Sequence, residues 1–145
     1  MKKEFQKWHN LKSKIDGEHQ SPPFSEREVW WCSLGANVGV EEDGKNELFE
    51  RPVVVIRKFN KEMLWALPLT SRGKEGTYYL RFSLRENVST VILSQLRILS
   101  AKRLVRKIGR IGKKQFNEMQ QAASAILIRK NDNNKNGSLA GASGA

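Results

Sequence analysis

Arg51-Pro52-Val53-Val54-Val55-Ile56 reads as a strand that is apolar throughout except for an arginine at its margin. Pro68-Leu69-Thr70-Ser71 follows about a dozen residues later, and Ser94-Gln95-Leu96-Arg97 after it. Each sets a polar residue, an arginine, a threonine or a glutamine–arginine pair, at the edge of an otherwise apolar strand. A small β-barrel builds an anion site in this way, holding a phosphate with fixed donors and no metal.

On either side of that stretch, short β-rich runs separated by polar turns predict strands near 28–34, 51–58, 62–69, 77–84, 89–93, 95–99 and 105–111. Strands at this spacing fit a barrel. Asn60-Lys61 reads as a tight hairpin, and Ser71 to Thr77, with Gly73 and Gly76, as a looser one. Two helices flank the strands. Phe5, Trp8, Leu11 and Ile15 recur at spacings of three and four and predict an amphipathic helix over 2–15, ended by Asp16-Gly17 and followed by a linker closed by Pro22-Pro23. Phe116, Met119, Ala123, Ile126 and Leu127 form an apolar stripe from about Lys113 to Arg129, with Gly112 as N-cap. Lys113 and Lys114 oppose the helix dipole there, which a nearby phosphate or acidic partner would offset, as would solvation. The expected organisation is an N-terminal helical extension and linker over 1–24, one domain over 25–130, and a disordered tail over 131–145, rich in Asn, Gly, Ser and Ala.

With 145 residues and 39% hydrophobic content, the chain can bury one core. Its net charge of +11 favours a polyanion, nucleic acid first, because clustered Lys and Arg displace counterions from phosphates. The charge is uneven. Arg97 to Lys114 carries eight basic residues and no acid, whereas Glu41 to Glu50 carries five acids and one lysine. No apolar run approaches a membrane span, and the first 30 residues lack a secretory core, so the chain is expected in the cytoplasm. Cys32 is the only cysteine, and both histidines, His9 and His19, lie in the extension; neither a disulfide, a thiolate cluster nor a Ser-His-Asp triad is expected in the domain. No cofactor or metal is expected.

Arg51 can aim a planar fork at a phosphate from the barrel mouth, or form a salt bridge to Glu50 or another acid of the preceding loop. The Thr70 hydroxyl can donate to a phosphate oxygen or serve the turn. Gln95 and Arg97, two apart, are expected on one face of a strand whose other face carries Leu96 and Ile98. Trp30 and Trp31 point to opposite faces, so one enters the core and the other reaches an interface or stacks on a base. Trp65 is expected in the core.

In order, Arg27-Glu28-Val29-Trp30-Trp31, Gly39-Val40-Glu41, Arg51-Pro52-Val53-Val54-Val55, Pro68-Leu69-Thr70-Ser71, Gln95-Leu96-Arg97 and Lys107-Ile108-Gly109 resemble the signature series of the PemK/MazF toxins over roughly residues 27 to 128. The resemblance implies an SH3-like small barrel of the CcdB/PemK type with a C-terminal α-helix. It implies a homodimer that cleaves single-stranded RNA without a metal, by 2′-hydroxyl attack, and is silenced by an antitoxin with an acidic segment. Arg51 then matches the catalytic arginine, Thr70 the active-site threonine and Glu41 an acid of the mobile loop. Gln95 and Arg97 match the RNA-groove pair, and Ser71, Arg72, Lys45 and Trp31 complete the expected RNA contacts. The proton acceptor is Glu41 or a positioned water. The stretch from Glu41 to Arg51 is longer and more acidic than the usual family loop. Two other readings of the same barrel are a nucleic-acid-binding module without catalysis and a CcdB-like toxin directed at a topoisomerase.

Overall fold

The computed structural model describes residues 2–128. Helix α1 (Phe5–Glu18) precedes strands β1 (Glu28–Ser33), β2 (Glu50–Lys58), β3 (Met63–Thr70), β4 (Tyr79–Leu84), β5 (Asn87–Ile92), β6 (Arg97–Ser100) and β7 (Leu104–Arg110), and α2 (Lys113–Ile128) closes the domain. The tail expected over 131–145 lies outside the described residues. Every pairing is antiparallel, in the order β4-β5-β3-β2-β1-β7, with β6 on the first half of β3.

The Val53–Ile56 run is buried on both faces of its strand. Val53 and Val55 pack with Trp30, Cys32, Leu64 and Leu99 on one side. Val54 and Ile56 pack with Leu67, Leu69, Val91 and the α2 residues Phe116, Met119 and Ala123 on the other. A strand covered on both sides has no polar alternation, which is why its sequence is continuously aliphatic. Its pairing with β3 is the step that builds the site. The register sets Val53 against Pro68 and Val54 against Leu67. Continued by two residues, the same register brings the start of β2, Arg51, beside the end of β3, Thr70.

Several expectations are corrected. β2 and β3 are joined by the four residues 59–62, longer than a tight turn, because Asn60 Oδ1 accepts from the amides of Glu62 (2.8 Å) and Met63 (3.0 Å). The segment after Thr70 is not a hairpin: β3 pairs with β5, so the chain passes over to β4 at the edge and returns. The tight turn is at Arg85-Glu86, where Leu84 pairs with Asn87 and Arg85 takes a left-handed φ of 58°. Gln95 lies in a 3₁₀ turn, Leu93–Gln95, so it shares no strand face with Arg97. Ile98 is exposed, and Leu99 is the β6 residue that enters the core. Trp65 is 42% exposed, with its ring edge-on to Phe59 at 5.1 Å, since Leu64 and Ala66 take the inward positions of β3. In α2, Ile126 packs on the core and Leu127, about 100° further round, is exposed.

Helix α1 runs past Asp16-Gly17 to Glu18, and Lys102 Nζ caps the Asp16 carbonyl at 2.8 Å. Its Trp8 and Ile15 are buried and Leu11 partly so, while Phe5 stays exposed. Helix α1 packs on the loop between β1 and β2, where Trp8, Ile15, Ala36 and Phe49 form a separate small cluster, and on the turn at 101–103, whose Arg103 lies over the Trp8 ring at 5.6 Å.

Candidate active site

Arg51 opens β2 with its side chain buried and its donors directed by backbone. Nε donates to the Asp43 carbonyl, and Nη1 donates to the Leu69 carbonyl at 3.1 Å and lies 3.4 Å from Glu42 Oε1. Of the three guanidinium nitrogens these contacts engage Nε and Nη1 and leave Nη2 outside them. The acid on Arg51 is therefore Glu42. Glu50, the neighbour considered from sequence, is buried and pairs with Arg106 at 3.2 Å.

Thr70 ends β3 with its Oγ1 accepting the Arg72 amide at 3.2 Å, a turn role that leaves the hydroxyl proton free to donate elsewhere. Arg51 and Thr70 line one cavity of about 230 Å³, together with Trp31, Lys45, Ser71 and Ser89. Of the tryptophan pair, Trp30 enters the core and Trp31 forms a wall of this cavity. Arg106, opposite Trp31 in the β1–β7 register, lies over its ring at 5.1 Å and is tied to Glu50. The indole is thus held rigid beside the guanidinium.

On the other side of Arg51 lies a polar cleft of about 560 Å³, which Glu41, Lys45, Gln95, Lys74 and Tyr79 also line. A third cavity, about 350 Å³, holds Glu41, Gln95 and Arg97. Glu41 Oε1 accepts the Val38 amide at 3.0 Å, within its own loop. Gln95 commits both ends to that loop: Oε1 accepts from the Glu42 amide at 3.2 Å and Nε2 donates to the Val40 carbonyl at 3.1 Å. Arg72 is exposed beside Thr70. Five of the nine nominated residues, Arg51, Thr70, Trp31, Lys45 and Ser71, therefore meet at one cavity. Glu41, Gln95 and Arg97 gather across the loop. The sequence pointed to neither Glu42 in particular, nor Arg106 nor Ser89, and it offered Glu50 to Arg51 rather than to Arg106. Glu50 and Arg106 are remote in sequence, and only the β1–β7 pairing could have pointed to Arg106.

Cys32 is fully buried, and that burial pushes its thiol up to about 12, so it offers no nucleophile. Among the described residues, no three His, Cys, Asp or Glu side chains converge as a metal site would require. No helix among them is long and apolar enough to cross a membrane.

A small antiparallel barrel with a guanidinium and a hydroxyl converging at its margin is the class of protein this geometry defines. Residues 25–127 match the PemK-like, MazF-like toxins of type II toxin-antitoxin systems, and the chain belongs to that family. Its fold is shared with MazF from Deinococcus radiodurans, at 17% identity and a TM-score of 0.58 over 74% of this chain and 97% of that one. An endoribonuclease from a mycobacterial species, solved with its cognate antitoxin, aligns at 15% identity and 0.57 over 76% and 100%. The Mycobacterium tuberculosis toxin MazF-mt6 aligns at 15% and 0.51 over 68% and 93%. No curated protein sequence matches the chain. Helix α1 precedes the matched span.

Proposed function

We propose that this toxin is a metal-independent endoribonuclease acting on single-stranded RNA in the cytoplasm, as a homodimer, until an antitoxin with an acidic segment covers the Arg51 site. The observation that carries the reading is the convergence of Arg51 and Thr70 on the cavity walled by Trp31. In the reaction, the ribose 2′-oxygen attacks the adjacent phosphorus and the bond to the 5′-oxygen breaks. The products are a 2′,3′-cyclic phosphate and a 5′-hydroxyl that takes a proton from solvent. The Arg51 guanidinium stabilises the charge that develops on the phosphorane. The Thr70 hydroxyl, its oxygen already oriented by the Arg72 amide, donates to a non-bridging oxygen. The 2′-proton passes to Glu41, on the rim of the polar cleft, or to water. Trp31 stacks a neighbouring base; Lys45, Ser71, Arg72 and, further along, Gln95 and Arg97 follow the backbone.

Purified protein incubated with mixed-sequence single-stranded RNA in EDTA is expected to give cyclic-phosphate ends, and Arg51→Ala to abolish them. RNA left intact by the wild type, or cleavage undiminished in Arg51→Ala, rules the assignment out.

A further inference from the structure

The loop between β1 and β2 does more than border the site. A phosphate docks bidentately on arginine through a pair of N–H groups on one edge, either Nε with Nη2 or Nη1 with Nη2. The loop takes one donor from each edge: the Asp43 carbonyl accepts from Nε, and the Glu42 carboxylate sits 3.4 Å from Nη1. With the loop in this position, Nη2 is left to bind an oxygen singly. The guanidinium charge is also offset by a carboxylate. A substrate phosphate gains a full fork only when residues 42 and 43 withdraw.

Within the family span Asn37 holds them, its amide donating to Asp43 Oδ1 at 2.6 Å and its side-chain Nδ2 to the Glu42 carbonyl at 2.9 Å; a further hold comes from outside that span. Lys3, just ahead of α1, reaches the loop crown with one ammonium group. Its Nζ lies 3.0 Å from Asp43 Oδ2 and donates to the carbonyls of Asn37 at 2.6 Å and Gly39 at 3.3 Å. Trp8 holds the loop's two roots. Its ring lies 5.6 Å from that of Phe49, and its indole fills the space at Gly35, where a Cβ would stand 2.3 Å from the ring. Gly35 has φ +95°, so only glycine suits the position on both counts. Gln95 straps the opposite side of the same loop.

We propose that Lys3 and α1 form an intramolecular latch that holds Glu42 and Asp43 on Arg51, making the chain autoinhibited toward RNA. The latch rests on the nuclease reading of Arg51. Lys3 is a positioning residue, since it acts on the guanidinium only through the loop. Its removal makes an unusual prediction. Losing a positive charge ordinarily weakens RNA binding, yet Lys3→Ala should strengthen it.

The test uses full-length protein and a 2′-deoxy-substituted, non-cleavable oligonucleotide, with Lys2→Ala as the charge-matched control. Lys3→Ala is expected to speed amide hydrogen exchange at Asn37, Glu42 and Gly44 by about tenfold, with β2 and β3 unchanged. Oligonucleotide affinity should rise by about fivefold, the scale of one partly buried ion pair. Glu42→Gln should raise affinity by a similar factor without loosening the Lys3 contacts, and Lys2→Ala should do neither. Exchange and affinity unchanged in Lys3→Ala, in a protein that still cleaves RNA, overturns the latch and leaves the nuclease standing. A loop that loosens while no variant binds RNA overturns both.

Discussion

Arg51 shows why the identity of a side chain and its function are separate questions. The guanidinium is held by the Asp43 and Leu69 carbonyls, an arrangement lysine cannot reproduce because a single ammonium has no planar fork. Thr70 is likewise fixed by a neighbouring amide. Both stood out in sequence as polar residues at an apolar strand's margin, each with a salt-bridge or turn role as the alternative reading. The acid on the arginine was not legible. Glu41, Glu42 and Asp43 are adjacent, and which of them faces Arg51 depends on the loop path set by Asn37, whose amide donates to Asp43 Oδ1 at 2.6 Å. Trp31 was also only half readable: adjacent tryptophans must diverge, but the packing of β7 decides which one stays at the surface. With the indole pinned under Arg106 beside Arg51, base stacking on its free side is worth about 1–3 kcal/mol. Trp31→Ala is therefore expected to weaken oligonucleotide binding by about tenfold or more, and Trp31→Phe to restore most of it. Equal affinities for wild type and Trp31→Ala in a fluorescence anisotropy titration would remove the indole from the RNA path.

At the level of elements, strand positions were readable because buried aliphatic runs mark them, whereas their neighbours were not. Nothing local says that β3 skips β4 to pair with β5, and Arg85-Glu86 has neither the Asn nor the Gly that usually marks a two-residue turn. The β1–β7 pairing, which carries Arg106 to Trp31, is itself anchored by Glu28. Its carboxylate is buried, which alone would raise its pKa. Hydrogen bonds from Lys107, the Ser25 amide and Trp30, with the Lys107 charge, outweigh that and hold it below 4.5. A carboxylate depressed on folding contributes stability that is present above its unfolded value, near 4.5, and is lost as pH falls through its lower folded value. Glu28→Gln is accordingly expected to lower stability at pH 7 by about 1–3 kcal/mol. It should also flatten the acid limb, so that the two proteins converge as pH falls below the depressed folded value of Glu28. Urea titrations across that range check it; a constant gap at every pH would show that Glu28 acts through packing alone.

The whole molecule is strongly basic, yet an acidic loop lies over the buried Arg51, and these two facts set how it should respond to salt. The net charge of +11 would attract a polyanion such as the proposed RNA substrate at long range. The contacts made at the site are fewer: Arg51 and Lys45 line the cavity, with Arg72 and Arg97 further out. If about three or four phosphates are engaged, log affinity for a single strand should fall against log salt with a slope of about −2 to −3. The latch adds a second dependence. Salt screens the partly buried Lys3–Asp43 pair as well as the RNA contacts, so part of the lost attraction is returned as the loop loosens. Lys3→Ala lacks that compensation and should show the steeper slope despite its higher affinity at low salt. The two binding curves then approach each other as salt rises. Anisotropy titrations of both proteins from about 50 to 300 mM salt measure this. Parallel lines would mean that the loop's hold on Arg51 does not depend on the Lys3 charge, and a flat wild-type line would mean that RNA phosphates are not what the cleft binds.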